Sequence, residues 1–228
     1  MKKWGLVASF FILVNFNAFC FDSDVTLLSG FETAFGFGFS SATSIKINGS
    51  DVSSKTGAAE LSKIIAPGFN IMARFDAGKE WDTFIKFRFL FLSNLYTDMR
   101  INTTDDGSTL TSHEYSCSDF ERAFFIDLSG GWTYVIPLNW RAALLFDVGP
   151  AFNFTYVESD SITERIFGFG PGGSAAFNFE FGDHFRLETG LNLVILVTYG
   201  SRSEPGVDTL MFGTMIPISP YLNVGYKF

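Results

Sequence analysis

The last seventeen residues of the chain, FGTMIPISPYLNVGYKF (residues 212–228), show the pattern from which the fold can be predicted. From Ile216 onward every second residue is apolar, and the residues between them are polar, small, proline or tyrosine. The apolar set is Ile216, Ile218, Pro220, Leu222, Val224, Tyr226 and Phe228. Because successive side chains of a β-strand point to opposite faces, this period of two predicts a strand with one apolar face.

The same alternation recurs along the chain and predicts eight strands. They are residues 25–41, 64–77, 81–96, 120–135, 139–157, 165–181, 184–200 and 212–228. Long or moderate polar connections (42–63, 97–119, 158–164 and 201–210) alternate with short turns (78–80, 136–138 and 182–183). An even number of strands with short turns at one end and long loops at the other is typical of an antiparallel up-and-down barrel.

The composition excludes several classes of protein. The chain has 228 residues, 29 phenylalanines and a net charge of -8, which is opposite to the basic surface of a nucleic-acid-binding protein. Its mean hydropathy of +0.22 is too high for a disordered chain. Beyond the first twenty residues, no apolar run is long enough for a membrane helix. An apolar chain without such runs can still span a membrane as a closed β-barrel.

Side-chain volume predicts which face points outward. An eight-stranded barrel encloses a lumen that side chains just fill, so the large Phe, Leu, Ile and Val side chains of all eight strands do not fit inside. We therefore expect them to face lipid, which argues against a lipocalin-like soluble barrel. Trp81, Trp132 and Trp140 fall near the short turns, and Tyr96, Tyr156 and Tyr199 near the long loops, as two membrane-interface girdles. The predicted fold class is all-β: an eight-stranded antiparallel up-and-down transmembrane β-barrel.

The first twenty residues have the pattern of a secretory signal peptide. Two lysines precede the apolar stretch 4–16, and Ala18 and Cys20 are small residues at the usual -3 and -1 positions. We expect cleavage after Cys20, which leaves residues 21–228 as one outer-membrane β-barrel domain. Lipidation of Cys20 is the alternative, but the bulky Phe19 before it argues against a lipoprotein signal. After cleavage only Cys117 remains, so no internal disulfide is expected.

The inward face carries charges of both signs. In a narrow lumen, unpaired charges are costly, so we interpret the set as a structural ion-pair network rather than an ion path. Its predicted members are Glu32, Arg74, Asp76, Lys86, Arg88, Asp127, Arg141, Asp147, Glu180, Arg186 and Glu188.

Two prolines suggest a weak place in the barrel wall. Pro150 and Pro171 fall at similar heights on adjacent predicted strands, and each removes a backbone donor from the sheet. One interpretation is two tolerated bulges. The other is a lateral seam through which a small apolar molecule, having entered from outside, leaves into the outer leaflet.

A signal peptide, eight alternating strands and the closing Val224-Gly225-Tyr226-Lys227-Phe228 together resemble small bacterial outer-membrane barrels of the OmpW and OmpX type. The Phe-rich texture is similar to that of small barrels of spirochaetes such as treponemes. The resemblance implies a cell outer membrane location and recognition of the last strand, through Tyr226 and Phe228, by the barrel-insertion machinery. It also implies either a passive channel for small hydrophobic molecules with lateral exit, as in OmpW-like proteins, or a surface-exposed structural or adhesion barrel acting through its outer loops, as in OmpX-like proteins.

No catalytic, cofactor or metal site is expected. His113 lies in a predicted loop and His184 beside a predicted turn, and the neighbours Ser112 and Glu114 do not by themselves build a catalytic relay. The expected partners are outer-membrane lipid, the insertion machinery and, if the barrel is a channel, a small hydrophobic ligand, without nucleic acid. We expect a monomer.

Overall fold

The structure is a computed structural model that describes residues 24–51, 56–76, 81–92, 94–103, 107–116, 121–160 and 162–228. For residues 51, 56–62, 94–103 and 107–116 we describe the backbone only. The expected signal peptide (1–20) and Cys117 lie outside the described residues. Within the described part of the chain, no helix is long and apolar enough to cross a membrane.

The described residues form twelve strand segments. They are β1 (Val25–Ile47), β2 (Ser50–Asp51), β3 (Thr56–Asp76), β4 (Trp81–Phe91), β5 (Asn94–Thr103), β6 (Gly107–Ser116), β7 (Arg122–Asn139), β8 (Ala142–Glu158), β9 (Thr163–Phe181), β10 (Phe185–Val194), β11 (Leu196–Glu204) and β12 (Val207–Lys227).

The strands close into a ring of antiparallel pairs. β1 pairs with β12, followed around the ring by β10, β9, β8, β7, β4 and β3, and β3 pairs with β1 again. β11 continues β10 between β9 and β12, and β5 continues β4 beside β3. The ring therefore has eight strand positions, and the prediction of an all-β up-and-down barrel is confirmed.

The strands extend further than predicted at the long-loop end. β1 continues to Ile47, β3 already begins at Thr56, and β5 and β6 lie largely inside the predicted loop 97–119. A strand of 23 residues, such as β1, is much longer than the roughly ten that cross a bilayer. The prediction ended these strands too early because residues 42–63 and 97–119 are rich in Ser, Thr, Gly and Asp, and such polar sequence is typical of loops.

Two turns also differ from the prediction. Residues 136–138 belong to β7, and the chain reverses instead at Trp140 and Arg141, where the Asn139 side chain accepts a 2.8 Å hydrogen bond from the Arg141 amide. Such an Asx-type bond stabilises a tight turn. The predicted loop 201–210 is mostly strand, with a turn at 205–206 in which Gly206 has a φ of 77°.

The predicted facing of the strands is confirmed. Phe31, Val148 and Phe177 are 80%, 55% and 49% exposed on the outer surface, whereas charged neighbours on the other face are buried. Trp81 and Trp140 are exposed near the short turns, and Tyr199 is exposed near the outer end. Trp132 is exposed too, but it lies opposite Val148, further along the wall than predicted, because β7 continues to Asn139. An outer surface this apolar over the full circumference requires hydrocarbon around it.

Candidate functional site

The lumen contains two layers of ion pairs, and the lower one centres on Arg74. The guanidinium lies 2.7 Å from Asp147 Oδ1 and 2.8 Å from Glu188 Oε1, and all three side chains are buried. Arg74 Nε also donates to Glu188 Oε2 at 2.9 Å, which makes this contact bidentate. Thr133 and Ser174 donate to Asp147 at 2.7 and 2.6 Å. The sequence places these residues on five strands, and barrel closure brings them to one level.

The second layer lies one step toward the outer end. Arg88 contacts Glu32 at 2.8 Å and Asp127 at 2.9 Å, and Lys86 Nζ lies 3.2 Å from Glu32 Oε2. Asn192 donates to the same Glu32 carboxylate at 2.7 Å. Asn70 of β3 also donates to Glu32, at 3.2 Å. Glu32 therefore accepts contacts from β3, β4 and β10 and holds the layer together.

Not all of the predicted charges meet in these layers. Of the eleven residues, seven lie in the two layers and four lie at the short-turn rim. Arg186 and Glu180 pair there at 2.8 Å, partly exposed. Arg141 is exposed and stacks over the Trp140 ring at 3.8 Å, and Asp76 is exposed at the end of β3. The rim residues had been assigned to the lumen by the strand period, but here the strands end and the side chains reach water.

Tyr221 is a member of the lower layer that the sequence analysis missed. Its buried hydroxyl donates to Glu188 at 2.8 Å, and the Lys86 ammonium lies 4.0 Å from its ring centroid. Gly190 makes room for the ring, since a Cβ there would lie 2.9 Å from Tyr221 Cζ. The alternation of the last strand places Tyr221 on its inward face, and this placement could have identified Tyr221 as a residue of the lumen.

An apolar plug lies immediately outside the charged layers and was also missed. The plug begins two positions further toward the outer end than Glu32, Arg88 and Asp127. At these positions lie Ala34, Leu90 and Phe125, which pack together across the lumen. The buried members of this cluster are Ala34, Ile64, Ala66, Leu90, Leu92, Phe125, Ala151, Val157, Val194, Leu196 and Met215. The plug places a non-polar floor beneath the outer mouth of the barrel.

The charged layers leave little free space. A cavity of about 20 Å³ lies between Lys86, Arg88, Asp147 and Asn192, which is room for about one water molecule. Packing of this kind is expected for a lumen of eight strands.

The two prolines of the predicted seam lie directly opposite each other, but the sheet between them is continuous. β8 and β9 pair at every residue from Ala142↔Phe179 to Glu158↔Thr163, including Pro150↔Pro171. The Pro171 carbonyl accepts from the Ile195 amide at 2.9 Å, so Pro171 presents its backbone polar groups to the β10–β11 side. In antiparallel pairing, Pro150 must then present its backbone to β7.

Strand pairing is interrupted beside several prolines. The β7–β8 pairing skips Gly130 and Gly131 opposite Gly149 and Pro150, and the β1–β12 pairing skips the residues opposite Pro220. A further interruption lies at Ile195, between β10 and β11. On one side, Pro171 has no amide to donate back to the Ile195 carbonyl. On the other side, pairing with β12 stops after Leu193↔Ile218 and resumes at Leu196↔Met215, and the register places Pro217 opposite Val194 in the gap. The strand at Ile195 is therefore bounded by a proline on each neighbouring strand.

An apolar groove lies on the outer surface beside this point. It has a volume of about 510 Å³ and is lined mainly by outward side chains of β7, β8, β9, β11 and β12. The rings of Phe152 and Phe169 lie 4.8 Å apart, as do those of Phe154 and Phe167. Gly168 and Val197 complete the floor and one wall.

The end of the last strand is tied to the start of the first. The Phe228 amide donates to the Val25 carbonyl at 2.9 Å, and Lys227 pairs with Asp24 at 2.6 Å. The hydrogen bond and charge of Lys227 hold the pKa of Asp24 below its usual value. Tyr226 and Phe228, the residues of the predicted assembly signal, are exposed side by side with ring centroids 5.0 Å apart.

The histidines do not converge with other reactive groups in the described residues. His184 is exposed at the turn before β10, stacked on Tyr226 with Nδ1 3.0 Å from the Lys227 carbonyl. The side chain of His113 lies outside the described part. Where side chains are described, no three His, Cys, Asp or Glu residues are placed to hold a metal ion.

No protein-family profile and no curated protein matches the chain. Solved structures do. The outer-membrane protein OprG from Pseudomonas aeruginosa aligns over 90% of this chain and 96% of its own, with a TM-score of 0.58 and 14% identity. Ail, the attachment invasion locus protein of Yersinia pestis, aligns over 91% of this chain and 100% of its own at a TM-score of 0.45 and 14% identity. Neisserial surface protein A aligns over 89% and 97%, respectively, at a TM-score of 0.44 and 10% identity. At these identities the likeness concerns architecture, and the fold of this chain is that of small outer-membrane β-barrel proteins.

Proposed function

We propose that the protein is an outer-membrane β-barrel that passively admits small hydrophobic molecules and releases them sideways into the outer leaflet. The observation that carries this proposal is the position of the wall interruption at Ile195. It lies at the height where the lumen changes from charged to apolar, because Val194 and Leu196, its two neighbours, belong to the apolar plug.

The layers of the lumen favour a sideways path over a straight one. A hydrophobic molecule that reaches the plug contacts apolar side chains such as Leu90 and Phe125. This contact is favourable because it removes apolar surface from water. Below the plug it would have to separate the buried pairs of Arg88 and Arg74, and breaking buried ion pairs is strongly unfavourable. Leaving through the wall therefore costs less free energy than passing through the charged layers.

The wall beside the plug has the features of such an exit. Pro171 and Pro217 each remove a backbone donor next to Ile195, so fewer hydrogen bonds must break for the strands to part. Gly168 and Gly170 on β9 place no large side chain at the same level. On the membrane side, the apolar groove lies beside the gap and would receive the leaving molecule.

A reversible lock tests the exit. In a Cys117→Ser background, Phe169→Cys with Val197→Cys places two thiols on opposed outward positions beside the interruption, at a spacing that a disulfide can bridge. This pair leaves Pro171 in place, so the reduced variant keeps the missing donor. The readout is uptake of the hydrophobic fluorophore N-phenylnaphthylamine, which we expect to be higher in cells carrying the protein than in cells lacking it. We expect oxidation of the pair to reduce uptake to the level of cells lacking the protein, and reductant to restore it.

A second cysteine pair provides the control. Phe146→Cys with Ala175→Cys joins the uninterrupted β8–β9 sheet nearer the short turns, and its oxidation should leave uptake unchanged. Uptake that persists in the oxidised Phe169–Val197 variant would rule out this exit. The same proposal expects no sizeable steady conductance from the wild-type protein in planar bilayers, since the charged layers and plug fill the lumen.

A surface-exposed adhesion barrel is the second candidate, and the β5–β6 hairpin favours it. β5 pairs with β3 beyond the end of β4, and β6 pairs with β5 from Ser116↔Asn94 to Gly107↔Thr103. Among the described residues, no strand pairs with the other edge of β6. An edge of unpaired amides and carbonyls can add an extended segment of another protein.

Deleting the hairpin separates the two functions. A variant lacking residues 95–116, closed by a short Gly-Ser linker, should keep the eight-position ring and therefore the uptake of N-phenylnaphthylamine. If adhesion is the function, cells expressing this variant should no longer attach to an epithelial monolayer, whereas cells with the intact protein do. Equal attachment of both would exclude the hairpin as the adhesive element.

We also assign recognition by the barrel-insertion machinery to the last strand. Tyr226 and Phe228 are outward and exposed at its end, where another protein can contact them while the barrel is still open.

A further inference from the structure

The apolar groove on the outer surface ends, at its outer side, below an exposed arginine. Arg165 lies on β9, two residues before the groove residue Phe167, on the same outward face. It opposes Tyr156 on β8 and Ser201 on β11, and its guanidinium carbon lies 5.9 Å from the Tyr156 ring centroid. The side chain is at the level where the outward face changes from phenylalanine to polar residues.

The described residues around Arg165 do not neutralise its charge. Both of its cross-strand neighbours are neutral, and none of the described carboxylates forms an ion pair with it. The next outward carboxylate on β8, Glu158, lies 3.7 Å from Arg122. A cation on the membrane-facing side of a barrel, at the interface, is available to an anion supplied by the lipid.

The groove fits the other part of such a lipid. From Arg165 to Phe169 the strand rises by roughly 13 Å, which is the length of a substantial part of an acyl chain. The aromatic pairs Phe152–Phe169 and Phe154–Phe167 line this space and leave it open to the membrane. A chain lying there fills a depression that would otherwise lack contacts.

We propose that this groove is a binding site for an anionic phospholipid-type molecule of the outer leaflet, with an acyl chain between the phenylalanine pairs and the phosphate bonded to Arg165. Arg–phosphate pairs are charge-assisted and often bidentate, so the contact selects anionic headgroups. The proposal requires an outward face in contact with lipid. It does not require that the barrel transports anything.

Native mass spectrometry of lipid retention tests the site. The probe is an equimolar mixture of phosphatidylglycerol and phosphatidylcholine of the same acyl length, added to the purified protein in mixed micelles. We expect the wild-type protein to retain phosphatidylglycerol about fivefold more than phosphatidylcholine, the effect of roughly one interfacial charge. Arg165→Gln should bring the ratio close to one while some lipid stays bound.

Two further variants make the test specific to the groove. Val197→Trp fills it and should reduce retention of both lipids, whereas Val148→Trp, equally outward but outside it, should not. Arg141→Gln removes an exposed arginine at the opposite rim and should leave the ratio unchanged. An unchanged ratio in Arg165→Gln, or full retention in Val197→Trp, would overturn the proposal. These readouts do not depend on uptake, so a failure here is distinct from a failure of lateral exit.

Discussion

Arg74→Met is expected to lower the free energy of unfolding by about 3–5 kcal/mol. The substitution leaves the Asp147 and Glu188 carboxylates buried without the guanidinium that contacts both of them. Isolated buried charges are costly, and the neighbours Thr133, Ser174 and Tyr221 donate hydrogen bonds but supply no charge. Urea titration in phospholipid vesicles, followed by tryptophan fluorescence, measures the difference.

Two comparisons identify the cause of this loss. Arg141→Met removes an exposed arginine of the rim and should cost less than about 1 kcal/mol, as surface charges generally do. Adding Asp147→Asn and Glu188→Gln to Arg74→Met removes the two unpaired buried carboxylates and should recover much of the free energy of unfolding. If Arg74→Met and Arg141→Met were equally stable, the lower layer would not be a structural network.

The second large effect is expected on the outer surface. Val148→Arg places a charge near the middle of the apolar band, between Trp140 and Tyr156 on β8, and should destabilise the folded barrel by about 2–4 kcal/mol in vesicles. The cost arises because hydrocarbon does not solvate the guanidinium. The same urea titration reports it.

The control for this substitution is an outward position at the edge of the membrane. Leu138 is as exposed as Val148 but lies at the end of β7 beside the turn, so the arginine side chain of Leu138→Arg can reach water. Its cost should be about 0–1 kcal/mol. Equal costs at the two positions would mean that Val148 is not in a membrane.

The outward face was predictable because side-chain volume and the strand period leave little choice. Phe31, Val148 and Phe177 could not share a lumen of eight strands, and they lie outside. The same period assigned Arg74, Arg88 and Glu32 to one face, but it carries no information about partners. Which charges meet depends on the stagger between strands, and this is fixed only when β1 pairs with both β12 and β3.

The apolar plug and the upper sheet were not predictable from the same pattern. Where inward residues such as Leu90 and Leu92 are also apolar, the strand reads as a continuous apolar run and the period of two is lost. The strands at the long-loop end present the opposite difficulty, since their sequence is rich in Ser, Thr, Gly and Asp and resembles that of loops.

The prolines show that the height of a residue on its strand does not tell which neighbouring strand its backbone groups face. Pro150 and Pro171 do lie opposite each other. Whether a proline weakens a given sheet depends on which neighbour its missing amide would face, and this alternates along a strand. The hydrogen bond from Ile195 to Pro171 settles that side and moves the interruption away from the β8–β9 pair.

A barrel that spans the membrane must place the bulky half of each strand against hydrocarbon. Spin labels on single cysteines, in a Cys117→Ser background reconstituted in vesicles, test it through their collision rates with oxygen and with a water-soluble nickel complex. Labels at the outward positions 148, 177 and 193 should collide often with oxygen and rarely with nickel, whereas labels at the inward positions 151 and 176 should be shielded from both. Frequent nickel collisions at the outward positions, with the protein folded, would contradict the membrane assignment and the proposals that depend on it.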